Sequence, residues 1–289
     1  MNENQTIISI GPLMKAARKF KKYNQADVAN AIGCSQSALS KMEHNLLIPS
    51  APQWFLFARF TAIPPETLER GFIDRHSRVK FNSDEVSLGF KIPKKYRSFR
   101  SEKVREIYPF LQYLEKMTTR DRYKEFILLM GIDEEFFLDF DNLVNFQLLL
   151  DTIDYFIRLG KYKQADIEEI VRLGQNDVYW NHYGVEWKKL PNVTSVLEEF
   201  AKEQVFFQTD FQLKLETQTN RLTLSYYPEY HLKQLASTVS SESIRFLNYY
   251  RKATIEHLIE RVLGKKISID LLPEVSTSPL GARFEVRAA

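Results

Sequence analysis

The segment Asn24–Asn45, NQADVANAIGCSQSALSKMEHN, decides the reading of this chain. Asn24 suits the cap of a helix that ends at Ile32, and Gly33 stands where a left-handed residue closes it. Ser35 can cap a second helix running to His44. Two short helices joined by so tight a turn must cross steeply. Close crossing needs a small residue in the first helix, and Ala29 supplies it. The turn needs a residue tolerant of positive φ, and Gly33 supplies it. The second helix has an inner face of Ala38, Leu39 and Met42. Its outer residues Ser37, Ser40, Lys41 and His44 recur at i, i+3, i+4 and i+7, and form one polar stripe with Gln36 at its leading end. A buried structural helix would not expose a whole face of small hydrogen-bonding residues plus a cation. A helix lying in a groove would.

The flanking sequence extends the pattern. Residues 12–22 read as an amphipathic helix with Leu13, Ala17 and Phe20 on one face. Ser50 followed by Ala51-Pro52 opens a fourth helix ending near Thr61. Pro64-Pro65-Glu66 starts a short fifth one, which Gly71 closes. Taken together, the segment from about Leu13 to Phe72 resembles the helix-turn-helix of the lambda-repressor and Cro-like (XRE) family. The residues that carry the resemblance are Gln25, Ala29, Gly33, Ser35, Gln36, Leu39, Ser40 and Glu43. It implies a five-helix lambda-repressor-like domain that docks in the major groove of duplex DNA. By position, the resemblance assigns phosphate contacts to Asn24, Gln25, Ser35 and His44. It assigns base contacts to Gln36, Ser37, Lys41 and Ser40. A Gln amide suits bidentate pairing with adenine, and Lys41 favours guanine O6 or N7. Glu43 is assigned to the fold rather than to DNA. Two blander roles stay open: Gln25 as a mere helix cap and Lys41 as a phosphate contact only.

Charge distribution agrees with a polyanionic partner. The net charge is only +3. Yet between Gly11 and Ser50 six basic residues (Lys15, Arg18, Lys19, Lys21, Lys22, Lys41) face two acids, Asp27 and Glu43. A second basic stretch runs Lys91, Lys94, Lys95, Arg97, Arg100, Lys103, Arg105, and reads as a solvated linker face. The single cysteine, Cys34, excludes an intramolecular disulfide, and a small residue is ordinary at that turn position. The amino terminus lacks the pattern of a signal peptide, and no run of about 18 apolar residues occurs. A cytoplasmic protein with no membrane association is expected.

At 289 residues the chain is long for one such module, and a prior of ~150 residues per domain suggests two. A polar, basic linker is expected over 76–101, between a DNA-binding domain at 1–75 and a second domain at 102–289. In the latter, helices are read at 102–117, 119–130, 143–159, 163–173 and 194–204. The period then changes to two. Phe211, Leu213 and Leu215 form one arm of a half-buried hairpin, and Leu222, Leu224 and Tyr226 the other. A long helix spans 242–263, ending on Gly264. Alternating strands follow at Ile267–Leu271 and around Phe284–Val286. The fold class is therefore α+β multidomain: an all-α five-helix domain, then a helix-rich α+β domain with a small antiparallel sheet.

The second domain resembles, in Phe207–Tyr227 and Arg251–Arg287, the effector domain of AraC-type regulators. It also resembles the domain shared by 4-vinyl reductase and haem/nitric-oxide-binding proteins. The vinyl-reductase relatives often carry cysteine ligands near this end, and this domain has none, so no metal or cofactor is expected. His182, His231 and His257 lack metal-ligand spacing. Asp151 and Asp154 read as a solvated face. The aromatics Tyr179-Trp180, Tyr183, Trp187, Tyr226-Tyr227, Tyr230 and Tyr249-Tyr250 line either a pocket or a core. No nucleophile elbow, P-loop or dinucleotide fingerprint is present. The expectation is a non-enzymatic, sequence-specific transcriptional regulator. It binds a pseudopalindromic operator as a homodimer, with a carboxy-terminal domain for dimerisation and small-molecule sensing. Two alternatives stand beside it: a protein-interaction adaptor that borrows the helix-turn-helix, and a DNA-localised enzyme.

Overall fold

The computed structural model describes residues 10–64, 66–75, 89–174, 186–204, 208–218, 221–273 and 278–288. The chain divides into two compact units. The first gathers residues 10–75, 89–97 and 127–142; the second gathers 98–126 and the described residues from 143 onward.

The first unit begins with α1 (Ile10–Phe20), α2 (Gln25–Ile32), α3 (Gln36–Glu43), α4 (Ala51–Thr61) and the single turn α5 (Thr67–Arg70). Several starts and stops are local chemistry. Asn24 and Ser50 make reciprocal capping boxes with Asp27 and Gln53, and Ser35 Oγ accepts from the Ala38 N–H. Gly33 and Gly71 close α2 and α5 at φ 70° and 77°. One core joins the helices: Leu13, Met14 and Ala17 of α1, Val28, Ala29 and Ile32 of α2, Leu39 and Met42 of α3, Trp54, Phe57 and Ala58 of α4, closed by Ile63. Each Leu, Ile, Met or Phe so buried contributes about 1.5–3 kcal/mol. Gly11 lies where α1 meets the end of α3. A Cβ there would collide with the Met42 carbonyl oxygen and stand 2.8 Å from that of Glu43.

Two later segments complete this unit. Ile73 bridges to Asp139, its N–H donating to Leu138 O at 2.7 Å, and Phe72 stacks on Phe140 with centroids 3.9 Å apart. A 3-10 turn at Glu134–Leu138 faces α1. Of the stretch read as a linker, residues 76–88 lie outside the described residues. Phe90, Ile92 and Tyr96 are buried within the first unit. In the second basic stretch Arg100, Lys103 and Arg105 are themselves buried, so these three cations do not form a solvated face.

The second unit is helix-rich, with two small antiparallel sheets. Its elements are β1 (Glu102–Lys103), α6 (Tyr108–Met117), the first part of α7 (Arg120–Met130), β2 (Leu143–Val144), α8 (Phe146–Arg158), α9 (Gln164–Gly174), α10 (Val193–Glu203), β3 (Phe211–Gln218), β4 (Arg221–Pro228), α11 (Leu232–Ala236), α12 (Ser241–Leu263), β5 (Ile267–Leu271) and β6 (Ala282–Ala288). β1 pairs with β2, and the larger sheet has the order β3-β4-β6-β5. The long α12 packs on α8, α9, α10 and β5.

Three details differ from the sequence expectation. The helix read at 102–117 starts only at Tyr108, because Pro109 fits the first turn of a helix but not its interior; Glu102–Lys103 is a strand. Likewise Leu143–Val144 pairs as a strand, and the helix read from 143 starts at Phe146. β4 is not half-buried: Leu222 through Tyr226 are all buried on both faces, in a strand that lies inside the sheet between β3 and β6.

Candidate nucleic-acid interface

The site is built around one buried carboxylate. Glu43, at the end of α3, is 3% exposed. It accepts from Arg18 through both oxygens, Nε at 2.6 Å and Nη2 at 2.9 Å, and from Gln25 Nε2 at 2.9 Å. Arg18 Nη1 also donates to the Tyr23 carbonyl at 3.1 Å. One bidentate pair thus ties α1, the start of α2 and the end of α3 together, in the geometry that favours Arg over Lys. Asn45, left-handed at φ 57°, accepts the Gly11 N–H on Oδ1 at 2.9 Å and closes the same corner.

This corner fixes which face of α3 is turned out. Leu39 and Met42 point inward, while Gln36, Ser37, Lys41 and His44 are exposed and Ser40 is half-buried. Ala38, read as an inner residue, is half-buried. The side chains of Gln36, Ser37, Ser40 and Lys41 make no hydrogen bond or ion pair among the described residues. His44 Nδ1–H donates to the Ser40 carbonyl at 2.7 Å, which leaves Nε2 as the outward nitrogen.

The residues assigned to phosphate lie at helix starts. Asn24 Oδ1 is spent on the Asp27 N–H at 2.9 Å. Gln25 is half-buried and keeps one amide hydrogen beyond its bond to Glu43. Ser35 Oγ accepts from Ala38 N at 3.1 Å and retains its hydroxyl hydrogen as a donor. The first turns of α2 and α3 also point N–H groups and the positive dipole end outward. Cys34 is half-buried. Burial pushes its thiol up, against the opposing bond to the Leu39 backbone, so it is a poor thiolate.

The basic face is smaller than the sequence count. Arg18 is consumed by Glu43. Lys15 pairs with Glu135, and Lys19 Nζ with Asp133 at 2.6 Å. Sequence reading missed this because the acids lie more than a hundred positions away. The run DEEFFLDFD, Asp133–Asp141, was the available signal: acids interleaved with aromatics that need a surface to cover.

The helix-turn-helix family model matches residues 14–68. This module is an XRE-type helix-turn-helix. It makes the protein a DNA-binding regulator. A search of curated proteins returns no match. Among solved structures, an alanine-to-glycine mutant of the Fe(II) unliganded H-NOX protein from K. algicida is 12% identical, with 65% of this chain and 96% of that chain covered and a TM-score of 0.48. A doubly substituted Tt H-NOX protein is 11% identical, with 64% and 94% covered and a TM-score of 0.41.

Outside the helix-turn-helix, the residues singled out from sequence disperse. Tyr179, Trp180, His182 and Tyr183 lie outside the described residues. Trp187 is buried, edge-on to Phe200. Tyr230 and Tyr249 are exposed, whereas Tyr226 and Tyr250 line one cavity. His231 Nε2 bonds Asp210, and Asp151 and Asp154 have separate partners, Gln147 and Ser243. Among the described residues no cluster of three His, Cys, Asp or Glu could hold a metal ion, and no helix is long and apolar enough to cross a membrane.

Proposed function

We propose that the helix-turn-helix reads a specific operator with Gln36, Ser37, Ser40 and Lys41. Asn24, Gln25, Ser35 and His44 hold the phosphates. The carboxy-terminal domain, residues 102–289, serves dimerisation and effector sensing and is not an enzyme. The observation that carries this reading is the outward stripe of α3, where the side chains of Gln36, Ser37, Ser40 and Lys41 have no partner among the described residues while Arg18, Gln25 and Glu43 beneath them bond one another. A short recognition helix covers few base pairs, so useful specificity needs two copies spaced by a DNA turn. Leu46, Leu47 and Ile48, directly after α3, leave apolar side chains in solvent and support self-association near the DNA.

The test is selection of binding sites from random duplexes by the full-length protein at near-physiological salt, which weakens non-specific contacts. A two-fold symmetric motif is expected, and Gln36→Ala should relax it at one position per half-site. No enrichment, with indifference to Gln36→Ala, would instead favour the adaptor reading.

A further inference from the structure

Within the second unit α6, α9, α12 and the β3–β4 hairpin surround a cavity of about 110 Å³. Scaled against a cavity of about 150 Å³ that accepts benzene, this holds about four to five non-hydrogen atoms. Its apolar wall is formed by Phe146, Leu149, Val171, Phe200 and Leu247. Its polar wall is unusual in what it leaves unpaired. Among the described residues, Glu102 Oε2, Gln204 Nε2 and Gln208 Oε1 are buried atoms with no hydrogen-bond partner. Unpaired buried polar atoms are rare and costly. Here three of them line one void.

Charges of both signs share that wall, Arg105 and Arg251 with Glu102 and Glu106. Arg251 is buried, its guanidinium over the rings of Phe211 and Tyr226 at 4.3 and 4.6 Å. It donates Nη1 to the Leu280 carbonyl at 2.9 Å, and Nε and Nη2 make no hydrogen bond among the described residues. Glu102 and Glu106 supply the carboxyls. Burial, together with the neighbouring Asp210 and Glu106, pushes Glu102 up, and burial raises Glu106 to about 7. Arg105 beside Glu106 and Arg251 beside Glu102 oppose these rises only in part, and Arg251 has donors to spare.

We propose that this cavity is the effector site and that it takes a small zwitterion, an ammonium and a carboxylate on a short apolar body, as in a free amino acid. The ligand carboxylate would meet the Arg251 and Gln204 donors, and its ammonium Glu106, Glu102 and the Gln208 oxygen. A simple anion would leave the two carboxyls uncompensated, and a simple cation would face Arg251. The inference rests on the sensing part of the reading above and adds the place and the chemistry.

The experiment uses the full chain without DNA, so its outcome is independent of whether an operator is found. The twenty free amino acids, each at about 10 mM, are screened for a rise in unfolding midpoint. The best is then titrated calorimetrically beside the amine lacking its carboxylate and the acid lacking its amine. At least one amino acid should bind, its two truncated analogues about tenfold or more weaker. Binding at pH 7 should release protons, seen as a buffer-dependent heat, because the ammonium ionises Glu106. Glu106→Gln and the cavity-filling Val171→Phe should each abolish binding. Arg251→Gln should too, provided its unfolding midpoint shows it is folded. The proposal falls if no amino acid shifts the midpoint, if amine or acid alone binds as well, or if Glu106→Gln and Val171→Phe leave affinity unchanged.

Discussion

Replacing Glu43 by Ala removes the acceptor that holds α1, α2 and α3 at one corner. The side chains of the pair are 1% exposed for Glu43 and 13% for Arg18. Removing one partner of a buried pair costs about 3–5 kcal/mol, because the other charge is stranded. Arg18 keeps some access to water and its bond to the Tyr23 carbonyl, which lowers the expectation to about 2–4 kcal/mol. Against a typical domain stability of about 5–15 kcal/mol that is a large fraction. With two compact units in the chain, a segment-resolved assay is required. Hydrogen exchange read on peptides from 24–45 should lose protection by that amount, and peptides from α12 should not. The paired replacement of Arg18 by Met and Glu43 by Leu should cost far less than the two single changes together, since no charge is left buried. A single-variant cost below about 1 kcal/mol, or a double variant as costly as the summed singles, would refute the argument.

Lys41→Ala should weaken binding to duplex DNA, and if the residue touches phosphate alone the salt slope falls by about one without loss of sequence preference. Asp133→Asn with Glu135→Gln releases Lys15 and Lys19, so non-specific DNA affinity should rise at low salt and the slope of log affinity against log salt should steepen. Gly11→Ala drives a Cβ into the backbone carbonyls of Met42 and Glu43, which cannot rotate away, and should lower the midpoint of the first unit's unfolding by several degrees. Glu106 has its folded-state carboxyl raised from 4.5 to about 7, so the stability it contributes is full below about pH 4.5 and is lost as pH rises through 7. Glu106→Gln should therefore flatten the decline between pH 5 and 8 and stabilise the protein at pH 8 by about 1–3 kcal/mol, read from denaturant unfolding at each pH.

The helix-turn-helix was legible because its signals are local. Asn24, Gly33, Ser35 and Ser50 act within four residues of themselves, and each element they bound falls within about two residues of the expected limits. The α+β class was legible for the same reason, through the change of period at Phe211. What could not be read was long-range. Nothing near Lys15 or Lys19 announces that acids from 133–135 will neutralise them. Nothing near Thr223 and Ser225 says that the polar face of β4 will be buried as well as its apolar one. Nor does Arg251, one cation on a helix of mixed polarity, declare that it will be buried over two aromatic rings. Tyr226 and Tyr250 were among the aromatics singled out, but periodicity could not separate them from Tyr227 and Tyr249, their immediate neighbours. Which of two adjacent tyrosines faces a void is decided by packing.

The same distinction explains why the outward face of α3 is informative. A polar side chain on a protein surface says little by itself, since water satisfies it. In this module, however, the polar side chains beneath α3 are sorted. Asn24 and Ser35 are tied to backbone N–H groups, Gln25 and Arg18 to Glu43, Asn45 to Gly11 and His44 to Ser40. Those bonds hold the backbone of α3 rigid without using Gln36, Ser37 or Lys41. A groove-reading helix needs that combination, because a base-reading amide gains discrimination only when its backbone cannot shift to accommodate the wrong base. The cost of holding an eight-residue helix still is carried by Glu43 and Gly11, neither of which need touch DNA. Changes at those two positions should therefore damage recognition through position rather than contact, lowering affinity for every sequence together, whereas Gln36→Ala should redistribute preference among sequences.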